Sequence, residues 1–257
     1  PFEPIAVIGV ATLLPDAPDV ESFWQNILSA KVSLKEVPNG RWNPSDFWAE
    51  GGPKNVDENK TYSKIGGWIE GYEFDWRRWK TPPGSLPQID LTQQWAVTVS
   101  AASLEDAGYM GDGSRELPKS RTGVIFANAL GGENRNLSNH RIWADQFARH
   151  AVESGGMPNE GKEAFKAALL EGLPKVTEDT MPGELANVVS GRVANLLDLQ
   201  GPNYSTDAAC ASTFAAILDA CRLLQTRQVD MMVAGASDRT MDPATFAKFS
   251  AIGALSP

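Results

Sequence analysis

Residues 201–213 read GPNYSTDAACAST and carry one cysteine, Cys210, out of an extended segment and into a long helix. Pro202, Asn203, Tyr204, Ser205 and Thr206 have little helical character, whereas residues 212–228 place Phe214, Ile217, Leu218, Cys221, Leu224 and Gln225 at helical spacings. A strand over 204–209 therefore delivers Cys210 to a turn at a helix N-terminus. The free N–H groups and dipole of such a terminus favour an anion by roughly 0.3–1 kcal/mol, a thiolate included. One pKa unit corresponds to about 1.4 kcal/mol, so the dipole only biases the sulfur toward reactivity. A positioned base or further donors must supply the rest. The same local pattern suits a small buried cysteine, the commoner fate of a lone Cys.

Outward from this stretch, short apolar runs recur. Residues 5–10 read as a buried parallel strand ending near Gly9, 121–127 as a second and 231–236 as a third. Helical patterns lie between them, notably over 92–107 and 183–197. Strands alternating with helices predict a layered α/β fold. Within 25–118, Trp42-Asn43-Pro44 and Gly51-Gly52-Pro53 read as loop excursions. Residues 130–182 are polar and helical, either a cap over a substrate face or a surface insertion. No internal repeat, GxGxxG or Walker pattern occurs, and Gly131-Gly132 is too short for a phosphate loop.

With 257 residues, 42% apolar and 21% charged, the chain has a globular composition and length enough for a substantial core. It contains no run approaching the roughly 20 apolar residues of a membrane span, and its start lacks signal-peptide character; a soluble cytoplasmic setting is the expectation. Cys210 and Cys221, on one continuous helix, would lie roughly 16 Å apart at 1.5 Å per residue, too far for a disulfide. Their spacing is not that of zinc ligands, so no metal is expected. A net charge of −9 argues against nucleic acid as a partner.

Asp207-Ala208-Ala209-Cys210-Ala211-Ser212 resembles the active-site cysteine motif of β-ketoacyl synthases, the thiolase-fold condensing enzymes of fatty-acid and polyketide assembly. The usual form there is DTACSS, from which Ala208 and Ala211 depart, small residue for small. Pro4-Ile5-Ala6-Val7-Ile8-Gly9-Val10 is similar to that family's opening strand and Glu21-Ser22-Phe23-Trp24 to the helix after it. Val37-Pro38-Asn39-Gly40-Arg41-Trp42 and Leu104-Glu105-Asp106-Ala107-Gly108-Tyr109 resemble pieces of the large synthase domains of megasynthases. The stretch over 60–68, with Pro82-Pro83 and the DLTQQ of 90–94, looks closest to polyunsaturated-fatty-acid-type synthases. Ordinary modular polyketide synthases read DPQQR where this chain reads DLTQQW.

The resemblance implies a thiolase-like layered α/β/α fold, with residues 1–257 as the N-terminal half, a mostly parallel sheet flanked by helices, and a second half absent. It implies acyl transfer to Cys210 as catalytic nucleophile, then decarboxylative condensation with malonyl carrier protein. No cofactor is bound by this chain itself; substrates ride on the phosphopantetheine of an acyl carrier protein. The implied partners are that carrier, the rest of a megasynthase, and a second copy paired through the strand before Cys210. Arg77, Arg78 and Lys80 are the densest basic cluster, either a docking patch for an acidic carrier or a solvated charge run. Phe126 and Leu130 are candidate lining residues of an acyl pocket, with core packing the favoured reading of Phe126. Phe246 and Phe249 either face the cysteine or are ordinary helix burial.

Two downstream histidines normally stabilise the enolate in this family. This chain has only His140 and His150, upstream and off-motif, so the fragment alone is expected not to condense. An alternative is a non-catalytic chain-length-factor-like partner, in which the cysteine is commonly replaced by Gln. A nucleophile-elbow acyltransferase fails on Ala208 and Ser212, where glycines would stand.

Overall fold

A computed structural model describes residues 3–53 and 57–257. Elements follow in the order α1 (Val20–Leu28), β1 (Leu34–Glu36), α2 (Pro44–Phe47), β2 (Ile65–Gly67), α3 (Leu91–Asp106), β3 (Thr122–Ala127), α4 (Asn134–Glu153), α5 (Lys162–Leu170), α6 (Thr180–Glu184), α7 (Ala186–Leu197), β4 (Asn203–Thr206), α8 (Ser212–Gln225), β5 (Met231–Ala236) and α9 (Pro243–Ala251). Strands β4, β3 and β5 form a parallel sheet in that spatial order. A small antiparallel hairpin of β1 and β2 stands apart from it.

Every residue of β3 is buried, because the central strand is covered on both faces. Its alternation sorts the core into two layers. Val124 and Phe126 pack with Ala96, Val97, Ala101 and Leu104 of α3 and Val189 and Val193 of α7. Ile125 and Ala127 meet Ala216 and Ala220 of α8 on the other side. The expected α/β/α layering is thus present, with α3 and α7 on one face and α8 on the other.

Residues 5–10 do not form the expected buried strand. Among the described residues they have no ladder partner, and Val7, Ile8 and Val10 are 82%, 49% and 52% exposed. They lie instead against α3. Gly9 sits so close that a Cβ there would be 2.2 Å from the Ser103 carbonyl oxygen, and Val10 N–H donates to Asp106 Oδ2 at 2.8 Å. That anchorage holds the segment across from β5, leaving a slot of about 390 Å³ between them. The helix expected over 183–197 is broken at Leu185, whose extended ψ of 129° separates α6 from α7. Among the described residues no helix is long and apolar enough to cross a membrane.

Candidate active site

Parallel strands point their carboxyl ends the same way, and ligands of open α/β sheets gather beyond those ends. Here Thr206 of β4 and Ala236 of β5 both pair with Ala127 of β3, so three loops leave one edge of the sheet side by side. Cys210 lies on the loop after β4.

The approach to β4 depends on Gly201. Its N–H donates to Thr122 O at 3.0 Å, and a Cβ there would lie 2.6 Å from that oxygen, so only glycine admits this proximity. Ser190 of α7 then stitches the strands together, donating to Tyr204 O at 2.7 Å and accepting from Phe126 N–H at 3.1 Å. The Tyr204 phenol is pushed above its ordinary pKa, chiefly by burial and then by Asp219.

After Thr206 the chain bends sharply. Asp207 Oδ1 accepts from Ala209 N–H at 2.8 Å, and Ser212 Oγ accepts from Ala208 N–H at 2.8 Å while donating to Ala209 O at 2.6 Å. These bonds hold Ala209 at φ 50°, a left-handed conformation uncommon for a residue with a Cβ. Ala209–Ala211 form one 3-10 turn, and α8 begins at Ser212. Cys210 therefore sits in the turn rather than on one continuous helix with Cys221, which corrects that expectation. Both cysteines are free thiols, Cys210 exposed and Cys221 half-buried.

The flanking loops are tied to this bend. Asn128 N–H donates to Thr206 O at 3.2 Å, its Nδ2 donates to Ser237 O at 2.7 Å, and its Oδ1 accepts from Gly131 N–H at 2.6 Å. One residue thereby joins the loops after all three strands. Beneath it lies the fully buried Asp90, whose Oδ1 caps α3 through Thr92 N–H at 2.8 Å. Its Oδ2 receives Glu133 and Asn134 N–H at 2.8 and 2.9 Å, capping α4 as well. Gly132 takes φ 96° to wrap this carboxylate, and a Cβ there would lie 2.1 Å from Asp90 Oδ1. Arg239 meets Asp90 and Glu133 at 3.7 and 3.5 Å, and Arg41 pairs with Glu133 at 2.6 Å.

The remaining candidates disperse. Phe126 is 1% exposed in the core layer beneath α3 and α7, the face opposite α8. Leu130, 57% exposed, is on the loop after β3, at the same edge of the sheet as Cys210. Phe246 packs against Trp42 and Trp68, with ring centroids 5.3 and 6.2 Å away, while Phe249 is 43% exposed. Arg77 and Arg78 stack on Trp76 and Trp79, and Lys80 lies exposed beside them. His140 and His150 are exposed on α4. Sequence reading missed Asp90 and Ser212 as organisers; an aspartate two residues before Thr92 at a helix start was the available signal for the first.

The chain is 29% identical over 255 residues to polyketide synthase PksN of Bacillus subtilis, covering 99% of this chain and 4% of that protein. It is 30% identical over 236 residues to a polyunsaturated fatty acid synthase of Thraustochytrium, covering 91% of this chain and 8% of that protein. The chain therefore spans a small fraction of the length of these curated relatives. In fold it is similar to the oxazolomycin ketosynthase domain OzmH KS7 of Streptomyces albus JA3453, with TM-score 0.73, 24% identity and coverage of 97% of this chain and 37% of that one. A ketosynthase of the bacillaene synthase from Bacillus subtilis 168 superposes with TM-score 0.67 at 20% identity, covering 98% and 35%. Residues 2–257 match the family "Beta-ketoacyl synthase, N-terminal domain", and the chain belongs to that family.

Proposed function

We propose that this chain is the cysteine-bearing part of a β-ketoacyl synthase acting within a polyketide- or polyunsaturated-fatty-acid-type megasynthase in the cytoplasm. The observation that carries this reading is the exposed thiol of Cys210 on a held turn beyond the carboxyl ends of parallel strands. The Cys210 thiolate attacks an acyl thioester on a carrier's phosphopantetheine; the S–C bond forms and the carrier thiol leaves. A malonyl carrier then loses carbon dioxide, and its carbanion attacks the acyl-cysteine carbonyl, forming the new C–C bond and releasing the Cys210 thiolate. The backbone N–H of Cys210 is one donor for the oxyanion. His140 and His150, exposed on α4, do not serve as enolate donors in this reading. Leu130, on the loop after β3 at the same edge of the sheet as Cys210, is the candidate for lining the acyl pocket, and Phe126, Phe246 and Phe249 would bound it. The outer edge of β4 has no partner strand among the described residues and is offered to a second copy. Retention of Cys210 favours an enzyme over a chain-length-factor-like partner.

The test is mass-spectrometric mapping of the adduct left by an acyl thioester, with Cys210→Ser as control. The adduct is expected on Cys210 and lost in the variant. Acylation at Cys221 instead would overturn the assignment.

A further inference from the structure

Of the consecutive backbone N–H groups from Ala208 to Ser212, all but one are taken. Ala208 N–H donates to Ser212 Oγ and Ala209 N–H to Asp207 Oδ1, each at 2.8 Å. Ala211 N–H donates to Ala208 O at 3.0 Å, and Ser212 N–H to Ala209 O. The N–H of Cys210, at an exposed position, is left without an acceptor among the described residues. The bonds of its neighbours thus single it out as the open donor of the bend.

One hydroxyl fixes where that donor points. A trans peptide is planar, with its C=O and N–H directed oppositely, so Ala209 O and Cys210 N–H belong to one rigid unit. Ser212 Oγ donates to Ala209 O at 2.6 Å, and the Ser212 N–H holds the same oxygen. The Ser212 side chain is 7% exposed and also accepts from Ala208 N–H, so it is tied to the backbone on both sides of Ala209. Turning the Cys210 N–H requires pulling that carbonyl off both donors. We infer that Ser212 is a positioning residue for the thioester chemistry of Cys210: its hydroxyl holds the Ala209 carbonyl on one side of the peptide and thereby aims the Cys210 N–H at the oxyanion on the other. This role rests on the reading of Cys210 as the acyl acceptor.

The test compares two reactions of the same sulfur in the 257-residue chain, both read at Cys210 by peptide mass spectrometry. With S-butyryl-N-acetylcysteamine the thiolate adds to the carbonyl carbon, the π electron pair moves to oxygen, and collapse expels the N-acetylcysteamine thiolate, so an oxyanion forms. With iodoacetamide the thiolate displaces iodide at carbon and no oxyanion forms. A change in folding or in thiolate population slows both reactions together and leaves their ratio unchanged. Loss of an entire oxyanion donor costs about 10²–10³ in rate, and in Ser212→Ala, where the donor stays but loses its aim, the ratio of acylation to alkylation is expected to fall about tenfold or more. In Ser212→Thr, which keeps the hydroxyl, the ratio is expected to stay within about threefold of the parent. An unchanged ratio in Ser212→Ala, or an equal fall in Ser212→Thr, would overturn the inference alone. A parent chain whose Cys210 is alkylated but takes up no butyryl group would overturn the reading of the site itself, and the role of Ser212 with it.

Discussion

Ala209 stores backbone strain of about 1–2 kcal/mol at φ 50°, and the side chains of Asp207 and Ser212 hold it there. Replacing Ala209 by glycine removes that strain, offset in part by the freedom glycine gains on unfolding. The urea midpoint of Ala209→Gly should be unchanged or raised by up to about 1 kcal/mol. Ser212→Ala removes one acceptor and one donor from the bend and should cost about 1–2 kcal/mol. The glycine change should recover part of that loss when the two are combined. A glycine variant less stable than the parent would contradict the strain. Tyr72 offers a second residue-scale test. Burial pushes its phenol up to about 12 against an ordinary 10.0, with the Thr98 hydrogen bond opposing. The fold favours the neutral phenol, so this contribution is complete below the ordinary tyrosine range and lost as pH rises toward the folded value. An ultraviolet titration should contain a tyrosine ionising near 12 that is absent in Tyr72→Phe.

At the scale of elements, α8 turns an unexpected side to the sheet. Its bulky Phe214, Ile217 and Leu218 are 75%, 46% and 51% exposed, while Ala216 and Ala220 are 0% and 4% exposed against β3 and β5. Small side chains let the helix axis approach the sheet closely. Ala220→Leu should therefore overpack this contact and destabilise by about 1–3 kcal/mol. Phe214→Ser should change stability by no more than about 0.5 kcal/mol. Equal losses in the two variants, read by denaturant unfolding, would contradict this packing. The sequence pattern identified the helix but not its buried face, because an apolar stripe marks a preference and only neighbouring layers choose which side is covered.

Across the whole molecule, surface ion pairs bridge distant segments. Arg121 on the approach to β3 reaches Asp230 before β5 at 2.6 Å, and Lys119 reaches Asp198 after α7 at 3.1 Å. The guanidinium holds the Asp230 carboxyl below its ordinary value, chiefly through their hydrogen bond. A depressed carboxylate stabilises the fold above its unfolded pKa and loses that effect as pH falls through the folded one. Asp230→Asn should thus unfold at lower urea than the parent at neutral pH. The curves should converge below the ordinary carboxylate range, and high salt should narrow the neutral-pH gap. A gap unchanged by acid would exclude this pair as its source.

The strands over 122–127 and 231–236, the long helix of 91–106 and the placing of Cys210 at a bend were readable because hydrophobic period and turn chemistry are local properties. The same is true of the cysteine motif, a short run in one segment. Tertiary structure alone decided that residues 5–10 stay unpaired among the described residues and lie against α3, with Val10 N–H bonded to Asp106. It also decided that one carboxylate, Asp90, caps two helices whose starts lie more than forty residues apart, and that Trp95 Nε1–H is left without an acceptor among the described residues. Those outcomes depend on which distant groups arrive within hydrogen-bond reach, and no spacing along the chain encodes that distance.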